Sequence, residues 1–167
     1  MTSAIITVEI IYTDGMTKLD SAQNSLWRLF LTVHTRLVER VEQDLKQAGL
    51  PPFEWYDVLL ALKQAPNQRL RLSELAEVLL VNRTNVTRLV DRMEKADLIQ
   101  REACQNDRRG AFAVLTETGL AMQQTMWKVY SQSILEYFAR HLQEEEVKVM
   151  AIALQRILDA ETELNGT

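Results

Sequence analysis

The stretch VNRTNVTRLVDRMEK, residues 81–95, decides the fold because it reads as a strongly amphipathic helix. At about 100° per residue, one side of this helix carries only apolar side chains: Val86, Leu89, Val90 and Met93. The opposite side and its flanks carry hydroxyl and charged groups: Thr84, Thr87, Arg88, Asp91, Arg92 and Lys95. We therefore expect the apolar side to pack on a domain and the other side to face water or a partner.

The residues just before this stretch predict a second, shorter helix. Ser73 has the side chain of an N-cap for ELAEVLL (residues 74–80), and Asn82 has that of an N-cap for the helix that contains TRLVDRMEK. The turn between the two helices spans only residues 80–82. Two helices joined so tightly indicate a helix-turn-helix.

After residue 97 the apolar pattern changes from a helical period to alternation. LIQREAC (98–104) and AFAVLT (111–116) are typical of strands, and the polar segment QNDRRG (105–110) separates them. A hairpin directly after a helix-turn-helix is a wing. At its tip, Asp107 can hold the Arg109 guanidinium forward, toward a minor groove or a phosphate. By itself such a pair is a surface ion pair worth only about 0–1 kcal/mol.

Long helices are predicted on both sides of this region. One covers residues 21–46, a second covers 52–63, Thr116 caps another that reaches about residue 141, and a last one begins near residue 143. The predicted fold class is mainly α with a small β-hairpin wing. Residues 1–18 are expected to form an N-terminal arm that is extended or partly disordered.

Charge is distributed unevenly along the chain. The net charge is −4 over 167 residues, whereas residues 69–110 carry nine Lys or Arg against seven Asp or Glu. That segment is therefore +2 and the remainder is −6. The segregation runs in the direction that nucleic-acid binding requires. A basic helix face alone is more often simply solvated, so the charge supports DNA binding only together with the fold.

Several other classes of function find no support in the sequence. GxSxG, HExxH and Gly-rich phosphate-loop patterns are missing, so no enzymatic activity is predicted. Cys104, His34 and His141 have no metal-ligand spacing, and no cofactor is expected. The longest charge-free run, residues 118–127, is too short to span a bilayer, and the N-terminus lacks a basic leader. We expect a cytoplasmic protein without a membrane partner.

The stretch RLRLSELAEVLLVNRTNVTRLVDRMEKADLIQREACQNDRRGAFAVLTETG, residues 69–119, resembles the winged helix-turn-helix core of the MarR (multiple antibiotic resistance regulator) family. The motifs SELAEVL and TRLVDRMEK, Asp107-x-Arg109, Leu115-Thr116 and Gly119 stand at the family's spacing. Two positions depart from it, because Leu80 and Asp97 stand where many members have glycine. Leu80 would tolerate a left-handed conformation poorly, and Asp97 would tolerate it better.

The resemblance implies a homodimer that reads a pseudo-palindromic site on double-stranded DNA. It assigns residues 19–50 and 116–164 to a helical dimerisation region and residues 51–115 to the winged helix-turn-helix, within one continuous domain of about 19–164. The apolar stripes agree independently, because the first and the last two helices carry more apolar surface than one small winged domain covers.

The predicted DNA contacts lie on the two short helices and the wing tip. Arginine forks suit guanine edges and phosphates, hydroxyl and amide groups suit bases and backbone, and free N–H groups at a helix start suit a phosphate. The set is Ser73, Asn82, Arg83, Thr84, Asn85, Thr87, Arg88, Arg92, Asp107, Arg108 and Arg109.

A ligand is implied by the resemblance alone. Family members often bind small phenolic or anionic molecules between the dimer helices and the winged module. The residues on helices that would line such a crevice are Trp27, His34, Trp55, Tyr56, Trp127 and Tyr130. Large aromatic side chains on amphipathic helices are more often core than pocket wall. Some relatives sense peroxides through a cysteine in the N-terminal helix, whereas Cys104 lies on a wing strand, which argues against redox sensing.

The sequence thus predicts a homodimeric, sequence-specific DNA-binding transcriptional regulator, a repressor rather than an activator, which a small aromatic or anionic ligand releases. Two alternatives stay open. Asp91 and Glu94 on the helix leave room for a winged-helix module that binds only proteins, and a constitutive DNA binder without a ligand fits the same motifs.

Overall fold

A computed structural model describes residues 18–79, 86–103 and 111–165, with side chains to residue 163. The chain divides into two compact units, Met1–Arg36 and Leu37–Thr167. The described residues form six α-helices: α1 Ser21–Gln47, α2 Phe53–Gln64, α3 Leu72–Val78, α4 Val86–Lys95, α5 Glu117–Tyr137 and α6 Glu144–Asn165. They also form three strands: β1 Arg69–Arg71, β2 Ile99–Ala103 and β3 Ala111–Leu115. The predicted helices at residues 21–46 and 52–63 are confirmed to within a residue at each end.

The ends of the long helices follow from local hydrogen bonding. At the end of α1, Gly49 takes φ 70° and Leu50 N–H donates to the Leu45 carbonyl at 2.9 Å. Such a left-handed residue after the last turn closes helices and favours glycine. Thr116 caps α5 as predicted, because its hydroxyl oxygen accepts from Gly119 N–H at 2.9 Å. The predicted end of α5 near residue 141 is wrong: α5 ends at Tyr137, and a 3-10 turn, Ala139–His141, follows it.

The predicted N-cap of α3 is also wrong. The helix begins at Leu72 with Arg71 in the cap position, and Arg71 N–H donates to the Glu74 carboxylate at 2.9 Å. Strand β1 leads directly into α3, so Ser73 already lies in the first helical turn, where its side chain is exposed. The predicted cap Asn82 and the turn at residues 80–82 lie outside the described residues.

The sheet has one strand more than the predicted hairpin. Strands β2 and β3 pair antiparallel from Ile99–Leu115 to Ala103–Ala111, as the alternating pattern predicts. Strand β1 adds to the other edge of β3 in the order β1-β3-β2, with Leu70 opposite Ala113. Three residues are too short a run to show alternation, so the sequence pattern did not reveal β1.

The core of the second unit forms around the apolar side of α4. Val86, Leu89, Val90 and Met93 are all buried, as predicted. Around them lie buried side chains from α1, α2, α3, the sheet and α5, which include Leu45, Leu59, Leu62, Leu75, Ile99, Ala113 and Met126. The α4 helix is therefore held by its inner side, and its outer side is oriented by the packing of the core.

The turn after α4 accommodates Asp97, which stands where many members of the family have glycine. Asp97 takes φ 59°, and Leu98 N–H returns to the Met93 carbonyl at 3.0 Å. The Asp97 carbonyl accepts from the Thr116 hydroxyl at 2.7 Å, which ties the turn to the start of α5. The expectation that Asp97 tolerates a left-handed conformation is confirmed. Within residues 18–79, 86–103 and 111–165, none of the helices has the length and apolar composition to cross a membrane.

Candidate nucleic-acid interface

The outer face of α4 carries the polar groups predicted for it. Thr87, Arg88, Arg92 and Lys95 are exposed, while the side chains opposite them are buried. Arg88 makes no hydrogen bond or ion pair with any residue that the structure describes. Its guanidinium is thus available to a partner, with donors in the planar fork that suits a guanine edge or a phosphate.

Arg92 has a partner on the neighbouring helix α2. Its Nη2 lies 2.6 Å from Glu54 Oε1, and its side chain stays 54% exposed. A guanidinium has five N–H donors, so one bond to Glu54 leaves others facing outward. The ion pair fixes the C-terminal part of α4 against α2 and orients the remaining donors.

Both acids of the α4 face contact an arginine of the wing. Arg101 on β2 places Nη1 2.5 Å from Asp91 Oδ1 and 3.3 Å from Glu94 Oε2. Its Nη2 donates to the Thr87 carbonyl at 3.2 Å. From the sequence, Arg101 is only one charge of the basic segment, because a helical wheel of α4 cannot show a group supplied by a strand.

Two other arginines of the basic segment lie on β1, and no DNA contact is predicted for them. Arg69 and Arg71 place their guanidinium carbons 4.9 and 5.5 Å from the centre of the Phe112 ring. Arg69 also pairs with Glu102 at 3.4 Å. No sequence pattern pointed to them, because the strand that positions them is too short to show alternation. They line the sheet edge opposite to β2.

The structure brings together only part of the predicted DNA-contact set. Thr87, Arg88 and Arg92 share the outer face of α4, and Ser73 is exposed on the first turn of α3. The other seven residues lie outside the described part of the chain: Asn82, Arg83, Thr84, Asn85, Asp107, Arg108 and Arg109. All eleven contacts therefore remain predictions.

Three of the predicted ligand residues form an aromatic cluster between α2 and α5. Tyr56 and Tyr130 have ring centres 4.9 Å apart, and Trp127 stacks on Tyr56 at 6.2 Å. Phe53 completes the cluster at 4.9 Å from Tyr130. Tyr56 is 2% exposed, so it is a core residue, whereas Trp127 is exposed at the edge. Burial raises the pKa of the Tyr56 and Tyr130 hydroxyls above their ordinary value of 10.0.

The other three predicted ligand residues lie elsewhere. Trp55 packs against the core, and its buried Nε1 has no hydrogen-bond partner among the described residues. In the first unit, Trp27 and His34 stack on either side of Phe30, with ring centres 6.1 and 6.5 Å from it. No group of three or more metal-ligating side chains occurs among residues 18–79, 86–103 and 111–163.

Comparison with known proteins identifies relatives for this geometry. The sequence model of the MarR family matches residues 48–110. The transcriptional repressor MprA of Escherichia coli K12 is 35% identical over 94 residues, which are 56% of this chain and 53% of MprA. The chain thus spans about half the length of MprA.

Two solved structures from Streptomyces coelicolor share the fold. AbsC, a MarR family transcriptional regulator, is 32% identical with a TM-score of 0.77 over 91% of this chain and 100% of AbsC. Sco3205, a MarR family transcriptional regulator solved in complex with DNA, is 25% identical with a TM-score of 0.79 over 89% of this chain and 92% of Sco3205. Because AbsC is matched along its whole length at this identity, the predicted family is confirmed: the chain belongs to the MarR family.

Proposed function

We propose that this protein is a homodimeric, sequence-specific DNA-binding transcriptional regulator, and that it acts as a repressor on a pseudo-palindromic operator. The observation that carries the proposal is the outer face of α4. There Arg88 is exposed without a described partner, on a helix whose inner side is anchored by four buried residues. A rigid helix with such a face suits insertion into a major groove.

The relatives support the same reading. MprA is named a transcriptional repressor, and Sco3205 was solved in complex with DNA. Transfer of DNA binding to this chain rests on the match of residues 48–110, which contain the predicted helix-turn-helix and the first strand of the wing, β2.

The apolar surface of α6 supports the homodimer. Within the single chain, the stripe formed by Val147, Met150, Leu154, Ile157 and Leu158 is exposed. An apolar stripe of this length is costly in water, and a second copy of the chain would bury it in a two-fold contact. Two recognition helices would then meet half-sites about one helical turn apart.

The test is fluorescence anisotropy on DNA from upstream of the protein's own gene, against scrambled competitor, between about 50 and 300 mM salt. Arg88→Ala and Arg109→Ala are expected to weaken binding by about 1–3 kcal/mol each. Arg140→Ala is the matched control. Arg140 lies on the 3-10 turn after α5, is exposed, and pairs with Glu136 of α5. If about eight phosphates are neutralised per dimer, log K falls with log salt at a slope of about −7.

Equal binding of operator and scrambled DNA, unaffected by either arginine substitution, would contradict the proposal. The α4 face would then bind another molecule, and a winged-helix module for protein contact would be the better interpretation. The constitutive alternative is tested in the same assay, by titrating phenols and aromatic carboxylates into the protein–DNA complex.

We propose that such a small aromatic or anionic ligand lowers operator affinity. Trp127 is exposed beside the buried Tyr56 and Tyr130, and Trp55 has a buried N–H donor without a described partner. A ligand that changes the separation of the two recognition helices would cost affinity without unfolding the protein. The proposal is supported if a compound releases the wild-type protein from its operator and fails to release the Trp127→Ala variant. It is contradicted if no compound changes operator affinity.

A further inference from the structure

The outer face of α4 carries two carboxylates, which work against DNA binding. Asp91 and Glu94 lie on the same helix as Arg88, Arg92 and Lys95, in the part of the chain proposed to approach phosphates. A carboxylate that faces a phosphate within the Debye length, about 8 Å at physiological salt, is repelled by it. Both carboxylates therefore need compensation if this helix is to enter a groove.

Arg101 supplies that compensation from β2. One guanidinium nitrogen, Nη1, contacts both acids, at 2.5 Å from Asp91 and 3.3 Å from Glu94. The other, Nη2, donates to the Thr87 carbonyl at 3.2 Å. The Arg101 side chain is 27% exposed, less than either of the two carboxylates it contacts. Its charge is thus directed at α4 rather than at solvent.

The backbone of Arg101 takes part in the same contact. Strand β2 is an edge strand, so some of its N–H groups have no partner strand. Arg101 N–H donates to Glu94 Oε1 at 3.1 Å, and Glu94 therefore binds both the backbone and the side chain of one residue. This contact fixes the guanidinium in place, because it ties strand β2, which carries Arg101, to helix α4, which carries the two carboxylates.

We infer that Arg101 is a positioning residue for DNA recognition. It offsets one of the two negative charges of Asp91 and Glu94 so that α4 can approach phosphates, and it does not itself contact the DNA. The inference rests on the proposed function and adds to it the residue that makes the α4 face compatible with a polyanion. Without Arg101, the charge of this three-residue group changes from −1 to −2 in each protomer.

The test uses a charge-matched double variant of the full-length protein. Arg101→Ala is expected to weaken operator binding about tenfold or more, because it leaves two carboxylates without their guanidinium counter-charge in each half of the dimer. Arg101→Ala combined with Asp91→Asn restores the charge of the group to −1. We expect this double variant to recover most of the lost affinity and to keep the wild-type salt slope.

Three further variants are the controls. Arg69→Ala removes another arginine of the same sheet that is paired with an acid, Glu102, and it should leave the affinity within about threefold of wild type. Arg101→Lys keeps the charge but not the fork, and we expect an affinity between those of wild type and Arg101→Ala. Asp91→Asn alone should not weaken binding. The thermal unfolding of every variant is measured as well, so that only folded proteins are compared in operator affinity.

The result that overturns the inference is a double variant as weak as Arg101→Ala, with a salt slope about two smaller in magnitude for the dimer. That pattern would mean that Arg101 contacts a phosphate in each half-site. An Arg101→Ala protein that binds as well as Arg69→Ala would overturn it equally. Failure of the proposed function is distinct, because wild-type protein would then show no preference for the operator, and the inference would fall with it.

Discussion

At the scale of single residues, Gly119 is fixed by a backbone contact rather than by a turn. It lies buried in the first turn of α5, and a Cβ atom at this position would stand 2.0 Å from the Leu98 carbonyl oxygen. The Leu98 carbonyl belongs to the backbone and cannot rotate away as a side chain could, so helix α5 or the turn before β2 must shift. We expect Gly119→Ala to lower the free energy of unfolding by about 2–3 kcal/mol.

Chemical denaturation measures that loss, and Ala121→Gly gives the matched control at an exposed site of the same helix. The control should cost about 1 kcal/mol through helix propensity alone. A Gly119→Ala protein as stable as wild type would show that α5 and the turn after α4 are not in such close contact.

Single residues also mark where sequence reasoning succeeds. The left-handed tolerance of Asp97 and the cap at Thr116 depend on local chemistry, and both predictions are confirmed. The cap at Ser73 depends on where the preceding strand ends, and that prediction is wrong. The pairing of Asp91 with Arg101 joins residues on two elements, so no helical pattern contains it.

At the scale of elements, α2 and α5 are joined by a buried polar contact. Gln123, which is 2% exposed, donates from Nε2 to the Tyr56 hydroxyl at 3.3 Å and accepts from Lys63 Nζ at 3.0 Å. We expect Gln123→Met to lower the free energy of unfolding by about 1–3 kcal/mol, because it leaves the buried hydroxyl unpaired. Adding Tyr56→Phe removes the other partner, so the double variant should be more stable than Gln123→Met alone.

A double-mutant cycle from chemical denaturation at neutral pH measures this coupling, and additive losses would contradict it. The same contact has a pH dependence. Burial raises the pKa of the Tyr56 hydroxyl above its ordinary value of 10.0, whereas its hydrogen bond to Gln123 acts in the opposite direction. A raised folded-state pKa means that the contribution to stability is full below about pH 10 and is lost as the pH rises through the folded pKa. Stability should fall less steeply in that range when Tyr56 is phenylalanine.

Elements show a second limit of sequence reasoning. The bounds of α1 and α2 and the start of α6 were predicted to within a residue or two, because their apolar stripes repeat along the helix. Strand β1 was missed because three residues carry no period, and with it the position of Arg69 and Arg71 on the sheet. The end of α5 was placed too late, because Phe138 leaves the helical region with φ −129° although the composition continues unchanged.

At the scale of the whole molecule, the apolar side of α6 is the feature that a single chain leaves unexplained. Leu158 is 56% exposed within the stripe, and Val149 is 68% exposed about 180° away around the same helix. Both side chains are solvated in one chain, so neither Leu158→Glu nor Val149→Glu should unfold it. Only Leu158 would be covered by a second copy in the proposed dimer, where a buried unpaired charge is strongly unfavourable.

We therefore expect Leu158→Glu to convert the protein to a monomer and Val149→Glu to leave the dimer intact, as measured by analytical ultracentrifugation. The monomer should lose most of its operator affinity, because one recognition helix reaches only one half-site and the gain from linking two sites disappears. Its core, built from residues of α1 to α5 and the sheet, should keep a cooperative unfolding transition. A Leu158→Glu protein that remains dimeric would place the two-fold contact on another surface. A Leu158→Glu monomer that binds its operator with wild-type affinity would contradict the proposal that a dimer binds two half-sites together.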